Sequence, residues 1–154
     1  MTQSIKLSTE QMRLMSLFQN VTGATAKDCI EEENQNRIIF IVSTGKMGLA
    51  IGKGGMHIKS LQNMVKKSVE LVEFDADPAK FLSNLLNPKL VMDVKMTSRS
   101  DGTKQAIVTV DPQKKGIVVG REGRNAQKAR MLAKRYFGIT HVLINGPERA
   151  AMEL

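Results

Sequence analysis

A glycine-rich segment occurs twice in this chain, and the repeat constrains the possible fold more than any other feature. Residues 48–55 read GLAIGKGG and residues 116–123 read GIVVGREG. The two segments align without a gap, and the predicted secondary structure around them follows the same order in both copies. Such self-similarity indicates two copies of one supersecondary unit. We therefore predict two small domains, residues 1–76 and residues 77–154 of the 154-residue chain.

The first copy contains sequence signals for a helix, a hairpin and a second helix. Ser8 and Gln11 form a capping-box pattern, and Gly23 suits the end of the helix that they begin. Apolar side chains at helical spacing are expected to face the core; they are Met12, Leu14, Met15, Phe18 and Val21, then Ile58, Leu61, Met64 and Val65. Strands are predicted at residues 27–33, 37–42 and 69–74, and the second long helix at residues 56–68.

The second copy repeats this order of elements. Asp77 and Pro78 are typical of an N-cap and a first helical position. Leu90, Met92, Val94 and Met96 alternate with polar residues, which predicts a half-buried strand. A return strand at residues 104–110, a helix at residues 125–137 and a strand at residues 141–145 complete the unit. The predicted class is α/β (α+β), with helices and strands in each unit, and the ten methionines are assigned to core packing.

The net charge of +8 favours a polyanionic partner. The chain has 23 Lys and Arg against 15 Asp and Glu, and residues 77–154 hold 14 of the basic and 7 of the acidic residues. A strongly basic globular chain usually binds nucleic acid. Aromatic residues make up 4% of the chain, which argues against a binding face built on stacked aromatic rings.

Several other classes of protein are disfavoured by residue types. Cys29 is the only cysteine, so no internal disulfide can form and a reducing compartment is indicated. The longest apolar run, residues 38–42, is too short for a membrane span, and we predict a cytoplasmic protein with no membrane partner. His57 and His141 have no further ligands at metal-binding spacing, so no metal or other cofactor is expected. No nucleophile–base or paired-carboxylate pattern indicates an enzyme. The acidic run at residues 31–33 has a metal or a basic partner as its alternative interpretation, but is expected to be a solvated hairpin tip that protects an edge strand.

The glycine-rich loop has three interpretations. Two glycines let backbones approach closely, the following helix presents free N–H groups, and Lys53 adds a charge, so the loop suits a phosphodiester backbone. A simple helix cap needs only one of these features. A nucleotide-binding P-loop requires Ser or Thr after the lysine, where Gly54 stands. The second copy of the loop in a basic chain favours the nucleic-acid interpretation.

The residues around the loop resemble the KH-domain signature. Ile51, Gly52, Gly55 and Ile58 match its spacing, and the order of elements is similar to the prokaryotic, type II form. A tandem pair with GREGRN at residues 120–125 resembles the archaeal NusA-like family. The resemblance covers nearly all of the chain except its last few residues. It implies two tandem type II KH domains, each a small three-stranded mixed sheet packed by helices. Each domain would have a groove for about four single-stranded nucleotides.

The resemblance also implies which residues contact RNA. The two loops would grip the sugar–phosphate backbone, and the flanking apolar and basic residues would line the grooves. The residues implied are Gly52, Lys53, Gly54, Gly55, Ile51, Ile58 and Lys59 in the first unit, and Gly120, Arg121, Glu122, Gly123, Val119, Arg124, Asn125 and Lys128 in the second. Ala126 replaces a bulky aliphatic residue of the signature, and Glu122 adds a negative charge, which leaves the base preference of the second groove open.

The function implied is binding of single-stranded RNA without catalysis. The family resemblance further implies transcription termination or antitermination through nascent RNA, with RNA polymerase or other transcription factors as partners. A ribosomal or ribosome-assembly KH protein is the first alternative, although residues 146–154 are not the long basic tail that threads ribosomal RNA. A nucleotide-binding enzyme that uses the Gly-Lys loop is a weaker alternative.

Overall fold

The computed structural model describes residues 7–147, which form two compact units, residues 7–74 and residues 75–147. Each unit contains one three-stranded mixed sheet with helices packed against it. The predicted fold class is therefore confirmed. No helix in this part of the chain is long and apolar enough to cross a membrane.

The first unit follows the predicted order of elements. They are α1 (Thr9–Thr22), β1 (Ala26–Glu32), β2 (Arg37–Val42), α2 (Met47–Ile51), α3 (Met56–Val65) and β3 (Ser68–Glu73). β2 is the central strand, antiparallel to β1 and parallel to β3. This topology leaves β3 at one edge of the sheet, and α2 packs against that strand.

Local sequence explains where α1 begins and how it is held. The Ser8 hydroxyl accepts a hydrogen bond from the Gln11 N–H at 3.1 Å, and the Gln11 side chain accepts one from the Ser8 N–H at 2.9 Å. Gly23 ends the helix in the left-handed conformation, with φ of 78°. Phe18 is fully buried and stacks on Phe40 of β2 with ring centroids 4.7 Å apart, which fixes α1 on the sheet.

The acidic run at the end of β1 forms ion pairs within the first unit and is not simply a solvated tip. Arg37 is fully buried; its Nε binds Glu32, and its Nη1 lies 2.8 Å from Glu70 Oε2. Lys67 Nζ lies 3.2 Å from Glu31 Oε2 and 3.6 Å from Glu33 Oε1. These pairs connect the β1–β2 hairpin to β3 and the residue before it. The carboxylates neutralise a guanidinium that could not be buried alone.

The second unit repeats this architecture. Its elements are α4 (Pro78–Leu86), β4 (Val91–Ser98), β5 (Lys104–Val110), α5 (Lys115–Val119), α6 (Arg124–Phe137) and β6 (Ile139–Asn145). β5 is central, antiparallel to β4 and parallel to β6. Asp77 caps α4, because its Oδ1 accepts a hydrogen bond from the Ala79 N–H at 3.0 Å. Phe81 of α4 packs edge-to-face on Tyr136 and Phe137 at the end of α6.

Three details of the sequence prediction are wrong. The helix predicted to end at residue 68 ends at Val65, because Lys66 is left-handed with φ of 59°. The alternation predicted for β4 fails at Met92, which is 62% exposed because a bulge between Val91 and Asp93 shifts the register, whereas Val94 pairs with the buried Val108. Most methionines do not form the core: none of those in residues 7–147 is fully buried, although Met15 and Met47 are partly buried and pack against the core of the first unit. Those predicted to face the core but exposed are Met12, Met64, Met92 and Met96.

We expect the Cys29 thiol to be unreactive in the native protein. It is fully buried on β1, and burial, with Glu31 and Asp28 as lesser causes, raises its pKa to about 12. At pH 8 the reactive thiolate would then be roughly a thousandfold scarcer than for an ordinary cysteine. Labelling by Ellman's reagent, with the guanidinium-unfolded chain as control, measures this. Equal labelling rates in the two samples would contradict the burial of this side chain.

Candidate nucleic-acid interface

Each glycine-rich loop is a 3₁₀ turn between a five-residue helix and a longer helix. The turns span Lys53–Gly55 and Arg121–Gly123. Gly52 and Gly120, which precede them, have φ and ψ of 77° and 165° and of 84° and 166°. The last glycines of the loops, with φ of 76° and 75°, are equally alike. The sequence repeat is therefore a repeat of backbone conformation.

The first glycine of each loop lies against the side chain five residues later. A Cβ on Gly52 would lie 2.7 Å from His57 Cγ and 3.1 Å from the His57 backbone nitrogen. A Cβ on Gly120 would lie 2.9 Å from Asn125 Cγ and 3.0 Å from its backbone nitrogen. No side chain larger than hydrogen fits at either position without a shift. These glycines are thus required by packing inside the loop.

His57 and Asn125 consequently support the loops. His57 is half-buried, and its Nδ1 lies 2.8 Å from the Leu49 carbonyl oxygen of α2. This contact holds α2 and the start of α3 together under the turn. The family resemblance implies that Asn125 contacts RNA, and the structure adds that Asn125 and His57 each lie beside the first glycine of their loop. Their shared position in the repeat was the available signal.

The outer side of each loop is open. A Cβ added to Gly54, Gly55 or Gly123 would meet no atom within 4 Å. The N–H groups of Gly55 and Gly123 bond back to the first glycine of their loops at 3.0 Å, which closes each turn. A ligand backbone can therefore approach this side closely, next to the N-terminus of the following helix.

Apolar side chains are exposed beside the loops. Ala50 anchors α2 and Val118 anchors α5, since both are fully buried. Other apolar side chains of α2 and α5, with Met56 at the start of α3, are exposed and leave apolar surface next to each loop. Leu49 is 48%, Ile51 36%, Met56 55% and Ile117 59% exposed. Val119 and Ile58 are half-buried. Leu49, Met56 and Ile117 were not predicted from sequence, although the first and last are equivalent in the repeat.

The second loop has less exposed apolar surface on the α6 side than the family signature implies. Ala126 is only 2% exposed and lies in the core of its unit. The exposed apolar surface there is therefore supplied by α5, through Ile117 and Val119. α5 packs against α6 and β6, so the second loop, like the first, stands beside an outermost strand.

Basic side chains surround both loops. Lys53 and Lys59 are exposed in the first unit, and Arg121 is exposed in the second, whereas Arg124 is half-buried. Lys128 is only 7% exposed, so the structure does not place it on the surface with the others. Sequence reasoning missed the exposed lysines at the start of the short helices; they are Lys46, Lys114 and Lys115. They lie at the opposite end of α2 and α5 from the loop.

The site has neither the context of a P-loop nor a row of aromatic rings. Each loop follows a helix, whereas a P-loop follows a strand. Phe18 and Phe40 stack on each other, and Phe81 packs on Tyr136, so these rings are used inside the units. Within residues 7–147, no group of three or more His, Cys, Asp or Glu could hold a metal ion.

Comparison with models of known protein families shows which class of protein this chain belongs to. The KH domain model matches residues 13–75, and the NusA-like second KH domain model matches residues 78–143. The fold and the two loops are thus those of a tandem KH protein. The chain belongs to the archaeal NusA-like family of such proteins, as the following relatives show.

The relatives match over most of their own length. "Probable transcription termination protein NusA" of Halobacterium salinarum (strain ATCC 29341 / DSM 671 / R1) is 37% identical over 90% of this chain and 97% of its own. The protein of that name from Methanocaldococcus jannaschii is 30% identical over 91% of this chain and 75% of its own. The crystal structure of APE1850 has a TM-score of 0.79 and 37% identity, covering 90% of this chain and 99% of that one.

Proposed function

We propose that this chain binds single-stranded RNA through its two glycine-rich loops and acts in transcription termination without catalysing a reaction. The observation that carries the proposal is the duplicated loop. Two copies share one backbone conformation, an open outer side and an exposed basic residue at the second position. The printed name of the relatives, probable transcription termination protein, supports the assignment to transcription.

The chemistry of each loop suits a sugar–phosphate backbone. Positive charge and helix N–H groups attract phosphate, and closely approaching glycines leave space for it. The apolar residues of α2 and α5 offer a surface for unstacked bases. We propose that residues 51–59 form the first RNA-binding segment and residues 119–125 the second, within units spanning residues 1–76 and 77–154.

The finer role is contact with nascent RNA in the cytoplasm, in termination or antitermination, with RNA polymerase or another transcription factor as a partner. Crosslinking the chain to RNA in cells, followed by sequencing, tests this role. We expect reads from many newly made transcripts, with crosslinked peptides covering the two loops. Reads confined to ribosomal RNA would contradict the transcription role and favour the alternative of a ribosomal KH protein.

We expect RNA length to affect affinity strongly. At about four nucleotides per groove, a strand of about eight nucleotides is long enough for two grooves, and a tetramer for only one. Joining the two binding events in one chain should raise affinity by roughly ten- to a hundredfold for the longer strand. Titrations of labelled oligonucleotides measure this difference.

A linker variant is the matched control for the length effect. Inserting a flexible Gly/Ser segment after Ala76 lowers the effective concentration of the second groove, so affinity for the octamer should fall. Affinity for the tetramer should not change. An octamer that binds no better than a tetramer, in either protein, would contradict the joint use of both grooves.

A further inference from the structure

The two loops differ at one position with left-handed backbone, where the first loop has Gly54 and the second has Glu122. Glu122 has φ of 56° and ψ of 25°, and Gly54 has φ of 64° and ψ of 18° at the equivalent position. The left-handed conformation is available to glycine without strain, but a residue with a Cβ adopts it at an energetic cost. The second loop therefore retains a glutamate where glycine would fold more favourably.

The charge of Glu122 adds a second cost. The side chain is exposed at the tip of a loop that we propose to face phosphate, and a carboxylate repels phosphate. Within residues 7–147, its carboxylate takes part in none of the ion pairs or side-chain hydrogen bonds of the unit. No ion pair or side-chain hydrogen bond within the unit thus compensates for the strain and the repulsion, which points to a role towards the ligand.

The chemistry of a carboxylate restricts that role. An ionised carboxylate only accepts hydrogen bonds. Along a single-stranded sugar–phosphate backbone, the ribose 2′-hydroxyl is the one group that can donate, and deoxyribose lacks it. A glutamate at a loop that grips this backbone can therefore bind favourably to RNA and only repel DNA.

We propose that Glu122 is a specificity-determining residue that makes the second loop select RNA over single-stranded DNA by accepting a hydrogen bond from a 2′-hydroxyl. The first loop, with Gly54 at this position, has no such acceptor and discriminates less. This inference rests on the proposed function, since it requires both loops to bind the nucleic-acid backbone.

A structural role for Glu122 makes a different prediction. The residue precedes Gly123, the N-cap of α6, and a negative charge near a helix N-terminus stabilises the helix. If that were its only role, Glu122→Gln would lower the melting temperature and leave the preference for RNA unchanged. Selectivity and stability must therefore be measured on the same variants.

The test isolates the second loop by replacing Lys53 and Gly54 of the first loop, both exposed, with aspartate. In this background, Glu122→Gly and Glu122→Gln are compared with Glu122 for binding to random-sequence pools of about eight nucleotides. The pools carry ribose, deoxyribose or 2′-fluoro-ribose; the last has no donor but keeps an RNA-like sugar. A reciprocal variant, Gly54→Glu in the otherwise native chain, adds the acceptor to the first loop, where a Cβ meets no atom within 4 Å.

We expect Glu122→Gly to lower the ratio of RNA to DNA affinity by about tenfold, partly through tighter binding of DNA, with Glu122→Gln intermediate. The 2′-fluoro pool should behave like DNA towards Glu122, and Gly54→Glu should raise the ratio. Ratios that Glu122→Gly does not change, with RNA binding still dependent on Arg121, would overturn this inference and leave the proposed function standing. Absence of binding to any single-stranded pool by the native chain would overturn both.

Discussion

Aspartate at both residues 121 and 122 is expected to lower the affinity for single-stranded RNA by roughly ten- to a hundredfold. Arg121 stands at the tip of the second loop, exposed and next to the N-terminus of α6. Reversing its charge removes an attraction to phosphate and adds a repulsion. Both positions are exposed and make no core contact, so the melting temperature should change little. Fluorescence anisotropy with a labelled oligonucleotide measures the loss.

The equivalent change in the first loop, Lys53→Asp with Gly54→Asp, is expected to have a smaller effect. The first-loop variant lowers the net charge by three and the second-loop variant by two, but residues 77–154 hold twice as many basic as acidic residues, whereas residues 1–76 are nearly balanced. We therefore expect the smaller loss in the first loop despite its larger change of charge. Lys89→Asp, an exposed change of the same size as the second-loop variant but away from the loops, is the charge control. Equal losses in the control and the Arg121 variant would show that only net charge matters, and would contradict a specific role for the loop.

Alanine at the first and last glycines of one loop should separate folding from binding. Gly120→Ala places a Cβ 3.0 Å from the Asn125 backbone nitrogen, in a backbone region that only glycine adopts readily, so we expect about 2–4 kcal/mol of lost stability. Gly123→Ala meets no atom within 4 Å and should lose only about 1 kcal/mol through its positive φ. Urea denaturation of the full chain measures both.

For RNA affinity, the less destabilising substitution, Gly123→Ala, should have the larger direct effect. The Cβ of Gly123→Ala would lie on the open side of the loop, where we propose that the RNA backbone approaches, so affinity should fall although the fold is retained. Gly52→Ala and Gly55→Ala, at the equivalent positions, provide an independent repeat of the comparison. If Gly120→Ala proved as stable as Gly123→Ala, the assignment of the first glycine to packing would be wrong.

Elements with local signals could be predicted from sequence. The capping box at Ser8 and the N-cap at Asp77 fix the starts of α1 and α4 through hydrogen bonds within one turn. The duplicated glycines then indicated a duplicated fold, and the two matching turns confirm this. Such features depend on neighbouring residues only, so no knowledge of the tertiary structure is needed to find them.

Features that depend on contacts between distant residues could not be predicted. Met92 is exposed because a bulge interrupts the alternation of β4, and alternation alone does not contain the position of a bulge. Arg37 recruits Glu70 from another strand, so the acidic run could not be recognised as part of an ion-pair cluster. The packing of the His57 ring against Gly52 likewise depends on how the loop folds, because the ring is held there by its contact with the Leu49 carbonyl oxygen of α2.

The central claim is that the two loops bind RNA as single strands, and a comparison of one sequence as single strand and as duplex tests it most directly. Titrations at several salt concentrations should show tighter binding of the single strand at every salt, because the bases must be unstacked to reach the apolar surface. The logarithm of the affinity should fall linearly with the logarithm of salt concentration as counterions are released. Equal affinity for single strand and duplex, unaffected by aspartate at residues 121 and 122, would contradict the account.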